Sequence, residues 1–223
     1  MITSRDNAKL KLVRALQRKQ ERHETGLFAC EGEDLVAAAA AAGIEPVELL
    51  VAGENVESEL LAAVSTLAHP PRAIGIYRAS DLPRGARATV LALWQVGDPG
   101  NVGTLLRTAD AFGAGIALSP GCADPLGPKA LRASAGAVFR VPLVAWDEAP
   151  ARKVALVAHG GVALSELDLE SPVTLYLGAE RLGLPEALIA GFDRATILLP
   201  GPAESLNVAA AGAIALYELS RSG

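Results

Sequence analysis

The sequence predicts an α/β protein built mainly on a parallel sheet, and three features of the chain carry that expectation. Continuous apolar runs of strand length recur at residues 88–95, 115–118, 154–158, 174–177 and 196–199. Strands covered on both faces read this way, whereas a half-exposed strand alternates polar and apolar positions. Helical stretches at 102–112 and 185–190 lie between those runs, the arrangement that parallel strands require. The polar stretch Arg78 to Arg87, with Pro83 and Gly85, separates this part from a smaller unit before it and has the composition of a linker. The division expected is therefore residues 1–78, a linker at 79–87, and residues 88–223.

The smaller unit opens with an amphipathic pattern over 8–20. Leu10, Val13 and Leu16 fall on one side of a 3.6-residue period, and Lys9, Lys11, Arg14, Arg18 and Lys19 on the other. Such a cationic face is either a solvated surface or a contact for phosphates. Next come a short strand at 26–30, a helix at 35–42 closed by Gly43, a strand at 47–52, a further βα element, and a strand at 73–77. The last helix, 206–219, is Ala-rich and nearly uncharged before Glu218. A helix so apolar must be covered, and a second subunit is the expected cover.

With 223 residues, 51% hydrophobic and 20% charged, the chain can bury a substantial core, and global disorder is excluded. No run of ~18 apolar residues occurs, and the start lacks a secretory pattern, so neither a membrane span nor export is expected and the compartment expected is the cytoplasm. Cys30 and Cys122 have no metal-type neighbours and read as reduced, buried thiols. His23, His69 and His159 are scattered and read as structural, so no metal site is expected. The net charge of −5 hides an asymmetry: residues 1–24 hold seven Lys or Arg against three Asp or Glu, a net of +4. A polyanion would meet that end first.

Three segments after expected strands join glycines to polar side chains, which is where open α/β sheets place ligands. The first, 98–110, holds Asn101 near a helix start and Arg107 further along; alone, these are a helix cap and an arginine reaching the surface. The second, 175–185, has Gly178 and Gly183 flanking Glu180, which alone is an ordinary turn. The third, 198–208, places Ser205 and Asn207 where either would cap the final helix. No Gly-X-Gly-X-X-Gly follows the first strand of either half, and no Gly-X-Ser-X-Gly elbow occurs, which disfavours a dinucleotide enzyme and a serine hydrolase.

Taken in order, Asn101-Val102-Gly103 with Arg107-Thr108-Ala109, Gly178-Ala179-Glu180-Arg181-Leu182-Gly183-Leu184, and Pro200 followed by Ser205-Leu206-Asn207-Val208 resemble the SpoU (TrmH-like) branch of the SPOUT RNA methyltransferases. Between them, Lys129 to Gly136 resembles the family's Arg-X-Ser-X-Gly stretch. The first half is similar to the small L30e-like α/β substrate-binding domain of such enzymes through Ser4, Asn7, Lys11, Leu16, Arg22, Gly26, Phe28, Glu31 and Gly32. One departure is about two residues fewer than the family pattern after Pro200, which bears on the backbone groups near Leu199 that reach the cofactor.

The resemblance implies S-adenosyl-L-methionine as methyl donor, a ribose 2′-hydroxyl as acceptor, a trefoil knot in the C-terminal domain and a homodimer through that domain. It implies cofactor contacts at Leu177, Gly178, Leu198, Leu199 and Leu206. Asn101, Ser205 and Asn207 would shape the hydroxyl site, Glu180 would tie the second loop, and Arg107 would orient a phosphate and stabilise developing alkoxide charge. A guanidinium with a pKa above ~12 is a poor base. Arg5, Lys9, Arg18, Lys19, Arg22, Lys129 and Arg132 would contact RNA, mainly through phosphates and 2′-hydroxyls. The expected substrate is 23S ribosomal RNA; the alternatives are tRNA and a catalytically degenerate RNA-binding member.

Overall fold

A computed structural model describes residues 1–150 and 152–222. The chain opens with α1 (Ala8–Ala15), α2 (Lys19–Thr25), β1 (Leu27–Glu31), α3 (Glu33–Ala41), β2 (Glu48–Val51), α4 (Ser58–Ala62) and β3 (Ala73–Arg78). Both outer strands pair antiparallel with β3, in the order β1-β3-β2. Leu10, Val13 and Leu16 pack with Leu50, Leu61, Ile74 and Ile76 on one side of this sheet. Between β2 and β3, among the described residues, only α4 forms, without the further strand expected there.

The single helix expected over 8–20 is broken in two. Asn7 Oδ1 caps α1 by accepting from the Lys9 amide at 2.9 Å. Arg18 is extended, with φ −89° and ψ 135°. In a continuing helix the Leu16 carbonyl would accept from residue 20. Here Arg22 Nη1 donates to it at 2.7 Å, while the turn seats Leu16 in the core.

The second unit comprises β4 (Thr89–Leu93), α5 (Pro99–Ala111), β5 (Gly115–Leu118), α6 (Pro128–Ser134), β6 (Lys153–Leu156), β7 (Val162–Ala163), β8 (Val173–Leu177), α7 (Glu186–Ile189), β9 (Asp193–Thr196) and α8 (Val208–Ser222). Its six strands run in the order β5-β4-β8-β6-β9-β7 and every neighbouring pair is parallel. Leu91, Leu93, Leu175 and Leu177 face a core shared with Leu105, Leu106, Ala215 and Leu216 of α5 and α8. Alternate residues Val90, Ala92 and Tyr176 point to the other face, against Val144 and Trp146. Gly212 lets α8 approach: an added Cβ would lie 2.4 Å from Leu105 Cδ2 and 3.0 Å from Leu177 Cδ1. The strand expected at 196–199 lies earlier, at β9, because Ile197 and Leu199 leave the sheet to wall a cavity and Pro200 has no amide to donate. Helix α6 is an addition to the elements the sequence pattern marks. No helix among the described residues is long and apolar enough to cross a membrane.

The two units share a core. Phe28, Cys30, Leu35, Ala39 and Tyr77 pack with Leu131, Val138 and Phe139, and Phe139 meets the Tyr77 ring edge-on at 5.4 Å between centroids. Gly136 is required there: at φ +81° it takes a conformation that side chains disfavour. A Cβ on it would also lie 2.4 Å from Ala38 Cβ. Leu82, within the expected linker, is buried in the same cluster, and the Pro83 carbonyl accepts from the Leu143 amide at 3.1 Å. Arg22, expected to contact RNA, is buried at this interface. It pairs with Asp124 through Nη2 at 2.6 Å and Nε at 2.8 Å, with side chains 6% and 14% exposed. Its fork is spent on a carboxylate and a carbonyl inside the protein, so it has no face for a ligand.

Removing one member of a buried pair leaves an uncompensated charge, so Arg22→Met is expected to lower the unfolding free energy by about 3 kcal/mol in a urea titration. Among the described residues the buried Tyr77 hydroxyl has no hydrogen-bond partner, and desolvation by burial, with smaller contributions from Cys30 and Glu45, pushes its pKa up to about 12. The unfolded chain ionises this phenol near ~10, so the folded state loses stability as pH rises from about 10 to about 12, where only the unfolded chain releases the proton. Tyr77→Phe is expected to stabilise the protein by about 1 kcal/mol at neutral pH and to flatten that alkaline limb.

Candidate functional site

The first segment is fixed at the start of α5. Asp98 caps the helix by accepting from the Asn101 amide through Oδ1 at 3.0 Å, and its Oδ2 accepts from Lys129 Nζ at 2.8 Å. Lys129 foremost, with the Asn101 amide, holds the Asp98 carboxyl below its ordinary range. The third segment is fixed at the start of α8, where Asn207 Oδ1 accepts from the Ala209 amide at 2.8 Å. That bond sets the orientation of the Asn207 amide, whose Nδ2 donates to Asn101 Oδ1 at 3.1 Å. Asn101 Nδ2 is then directed to Glu180 Oε1, at 2.8 Å, in the second segment. One chain of side-chain hydrogen bonds thus joins all three.

The second segment turns back on itself after β8. The Gly183 amide donates to the Ala179 carbonyl at 2.9 Å, and a Cβ on Gly178 would lie 2.2 Å from the Gly183 carbonyl carbon. Only glycine lets this loop close. Between it and the start of α8 lies a cavity of about 560 Å³. Leu177, Gly178, Glu180, Leu199, Ser205, Leu206 and Asn207 line it, together with Leu156, His159, Arg181, Gly183 and Glu204. Its wall is apolar below and carries two carboxylates and a guanidinium, enough to orient a small ligand that has both apolar and charged parts.

Not every expected residue reaches this cavity. Asn101 touches it only through Glu180 and Asn207. Leu198 is outside the lining and 69% exposed, while its neighbour Leu199 lines the cavity. Arg107 is exposed further along α5 and does not line the cavity of its own chain. His159, which reads as structural in the sequence, lies on the wall with Leu156. Its place just beyond β6 is the signal that could have found it, because ligands collect outside the carboxyl ends of parallel strands. Arg181 and Glu204, also on the wall, sit inside motifs whose other residues draw the eye first.

Arg5, Lys9, Arg18 and Lys19 are exposed on the first unit, although Lys9 pairs with Glu48 at 2.7 Å and Arg18 with Glu21 at 2.7 Å. Lys129 and Arg132 sit on α6, where Lys129 pairs with Asp98 and Arg132 Nη1 donates to Thr66 Oγ1 at 3.0 Å. Among the described residues no group of His, Cys, Asp or Glu is gathered so as to hold a metal.

A parallel sheet with a ligand cavity built from loops at its carboxyl edge gives the C-terminal part the layout of an α/β enzyme domain. The model of the SpoU rRNA Methylase family matches residues 88–217, and that of the MRM3-like substrate binding domain matches residues 7–77. The chain belongs to the SpoU methylase family. It is 32% identical over 243 residues to the 23S rRNA (guanosine(2553)-2′-O)-methyltransferase RlmP of Bacillus subtilis, covering 98% of each chain. Among solved structures, an AdoMet-bound rRNA methyltransferase from Sinorhizobium meliloti is similar at a TM-score of 0.86 and 32% identity, over 99% of this chain and 97% of that one. The SpoU methyltransferase AviRb from Streptomyces viridochromogenes, in complex with AdoMet, is similar at a TM-score of 0.83 and 27% identity, over 96% of this chain and 97% of that one.

Asn101→Ala is expected to cost only about 1 kcal/mol of global stability. It should nevertheless speed amide exchange at residues 179–184 and 205–208, measured by hydrogen–deuterium exchange, since each loop loses its tie to the other. Unchanged exchange would mean that the loops are held independently.

Proposed function

We propose that this protein transfers a methyl group from S-adenosyl-L-methionine to a ribose 2′-hydroxyl of 23S ribosomal RNA. The observation that carries this reading is the Glu180–Asn101–Asn207 hydrogen-bond chain at the edge of the cavity, in a chain similar over 98% of its length to a named 23S rRNA methyltransferase. The cavity suits the donor. At about 560 Å³ it falls within the ~300–1,000 Å³ of small-molecule sites. Leu177, Leu199 and Leu206 offer an apolar bed, Gly178 lets backbone approach closely, and Glu180, Glu204 and Arg181 complement a ligand that carries both cationic groups and a carboxylate. When bound, S-adenosyl-L-methionine supplies an activated methyl on a sulfonium leaving group.

What remains for the protein is alignment. Ser205 and Asn207 place the acceptor hydroxyl, with Asn101 holding Asn207 in position, and positioning of this kind can supply roughly 7–11 kcal/mol. A guanidinium keeps its proton at neutral pH, so the role of Arg107 is to orient a phosphate and stabilise alkoxide charge as it develops. It lies outside the cavity of its own chain, on the helix that packs with α8, whose outward side carries Ile214 and Tyr217, 36% and 53% exposed. A two-fold dimer through that side would cover the apolar stripe and deliver Arg107 to the partner's site. We assign the C-terminal chain path to a trefoil knot. Its support is the passage from β8 past β6 to β9 and the return of α8 against Leu105 and Leu177. Exposed Arg5, Lys9, Arg18 and Lys19 would bring RNA to the first unit. Two free buried thiols suit a reducing cytoplasm.

The test is transfer of labelled methyl from S-adenosyl-L-methionine to 23S rRNA lacking its own 2′-O-methyl groups. Wild type should methylate one ribose. Arg107→Ala should lose at least ~100-fold in turnover, as when one transition-state donor is removed, with cofactor affinity by calorimetry nearly unchanged. Near-normal turnover of that variant would overturn the role of Arg107. Absence of cofactor binding in wild type would favour a degenerate RNA-binding protein.

A further inference from the structure

Lys129 carries the further inference, which rests on the methyltransferase reading above. Its side chain is 60% exposed on α6, where a lysine of this protein would be assigned to RNA phosphate. Its ammonium is instead 2.8 Å from Asp98 Oδ2, while the other carboxylate oxygen holds the Asn101 amide at 3.0 Å. The surroundings keep room for this arrangement. A Cβ on Gly100 would lie 2.7 Å from Asp98 Oδ1 and 3.5 Å from Lys129 Cε, so a side chain there would press on both partners. A Cβ on Gly103 would lie 2.3 Å from the Ala130 carbonyl oxygen, so α6 is seated on α5 with little freedom to slide.

The far side of α6 is anchored in the first unit. Leu131 lies in the shared core, and Arg132 donates to Thr66 Oγ1, a hydroxyl that in turn donates to the buried Glu31 carboxylate at 2.7 Å. Helix α6 thus spans from the substrate-binding unit to the residue that caps the catalytic helix.

We propose that Lys129 is a positioning residue: gripping Asp98 from α6, it holds the Asn101 end of α5 in the geometry the reaction needs, and couples that end to the substrate-binding unit. It acts through Asp98 and Asn101 and does not itself bind RNA. A point charge contacting phosphate and a strut holding a helix cap leave different kinetic traces.

The experiment compares wild type with Lys129→Met, Lys129→Arg, Asp98→Ser and the Asp98→Ser/Lys129→Met pair, using full-length protein and 23S rRNA. Serine keeps a capping oxygen but gives Lys129 no carboxylate. Lys129→Met should lower kcat about tenfold through misplacement of Asn101. RNA affinity and its slope against salt should stay at wild-type values, and Lys129→Arg should recover most of the rate. In the Asp98→Ser background, Lys129→Met should change kcat by less than about twofold, the non-additivity of residues acting as a unit. Amide exchange at Asn101 in the free protein should rise in Lys129→Met, a readout that needs no turnover.

The proposal is overturned if Lys129→Met leaves kcat intact. It is equally overturned if RNA affinity weakens with a salt slope smaller by about one, the mark of a lost phosphate contact, or if the methionine effect persists in full beside Asp98→Ser. A wild-type protein that methylates nothing would instead overturn the enzymatic reading, while the Asn101 exchange measurement would still report on the strut.

Discussion

A primary amide has one acceptor end and one donor end. Asn101 uses both, joining two loops that are distant from it in the sequence. Asn207 must spend its oxygen on the first turn of α8, so only its nitrogen remains for Asn101, and Asn101 in turn has only its nitrogen for Glu180. The direction of every bond follows from that one cap. Aspartate at either asparagine position would place an acceptor where a donor is needed, and two oxygens would face each other. The cavity wall depends on this polarity because the loop after β8 and the loop before α8 are tied to each other through Asn101.

The second constraint is the packing between the two units. Independent domains on a tether would let a substrate-binding unit wander relative to the reaction centre, and each docking event would then carry an orientational cost. Here Phe28, Tyr77 and Phe139 form one aromatic cluster, and Arg22 is locked to Asp124. Small residues make the contact close: Ala38 of α3 meets Gly136 just beyond α6, and α6 is itself seated on α5, where Gly103 lies beneath Ala130. The Lys129-to-Gly136 stretch, conspicuous in sequence as a motif, lies away from the cavity lining. Its chemistry is that of a joint.

The sheet is legible because strands buried on both faces are written as unbroken apolar runs, and the three loop motifs because their glycines and capping side chains are local. Where sequence and structure part, a local pattern is overridden by a distant partner. The 3.6-residue period continues through Leu16, yet the chain breaks where Arg22 takes the Leu16 carbonyl, and Arg22 is held there by Asp124, 102 residues further on. A basic residue in a basic segment gives no sign of which cation is buried. The apolar run at 196–199 reads as a strand for a related reason: cavity walls and sheets both want such residues, and only Pro200 argues against extended pairing. Helix α6 is short, and its single pair of turns is too little for a period to declare itself.

The exposed apolar side of α8 and the outward guanidinium of Arg107 belong to one problem. α8 packs against α5 through Gly212 and Leu105, so its remaining side can only turn away from the chain that made it. Solvent is a poor partner for Ile214 and Tyr217, and a guanidinium nearly two turns from the Asn101 hydrogen-bond chain is too far along the helix to serve the same cavity. The proposed two-fold dimer would resolve both, because its axis returns each outward-facing group to the other copy. The alanines of α8, which give the helix its low polarity, also leave its surface flat enough for a second helix to lie close.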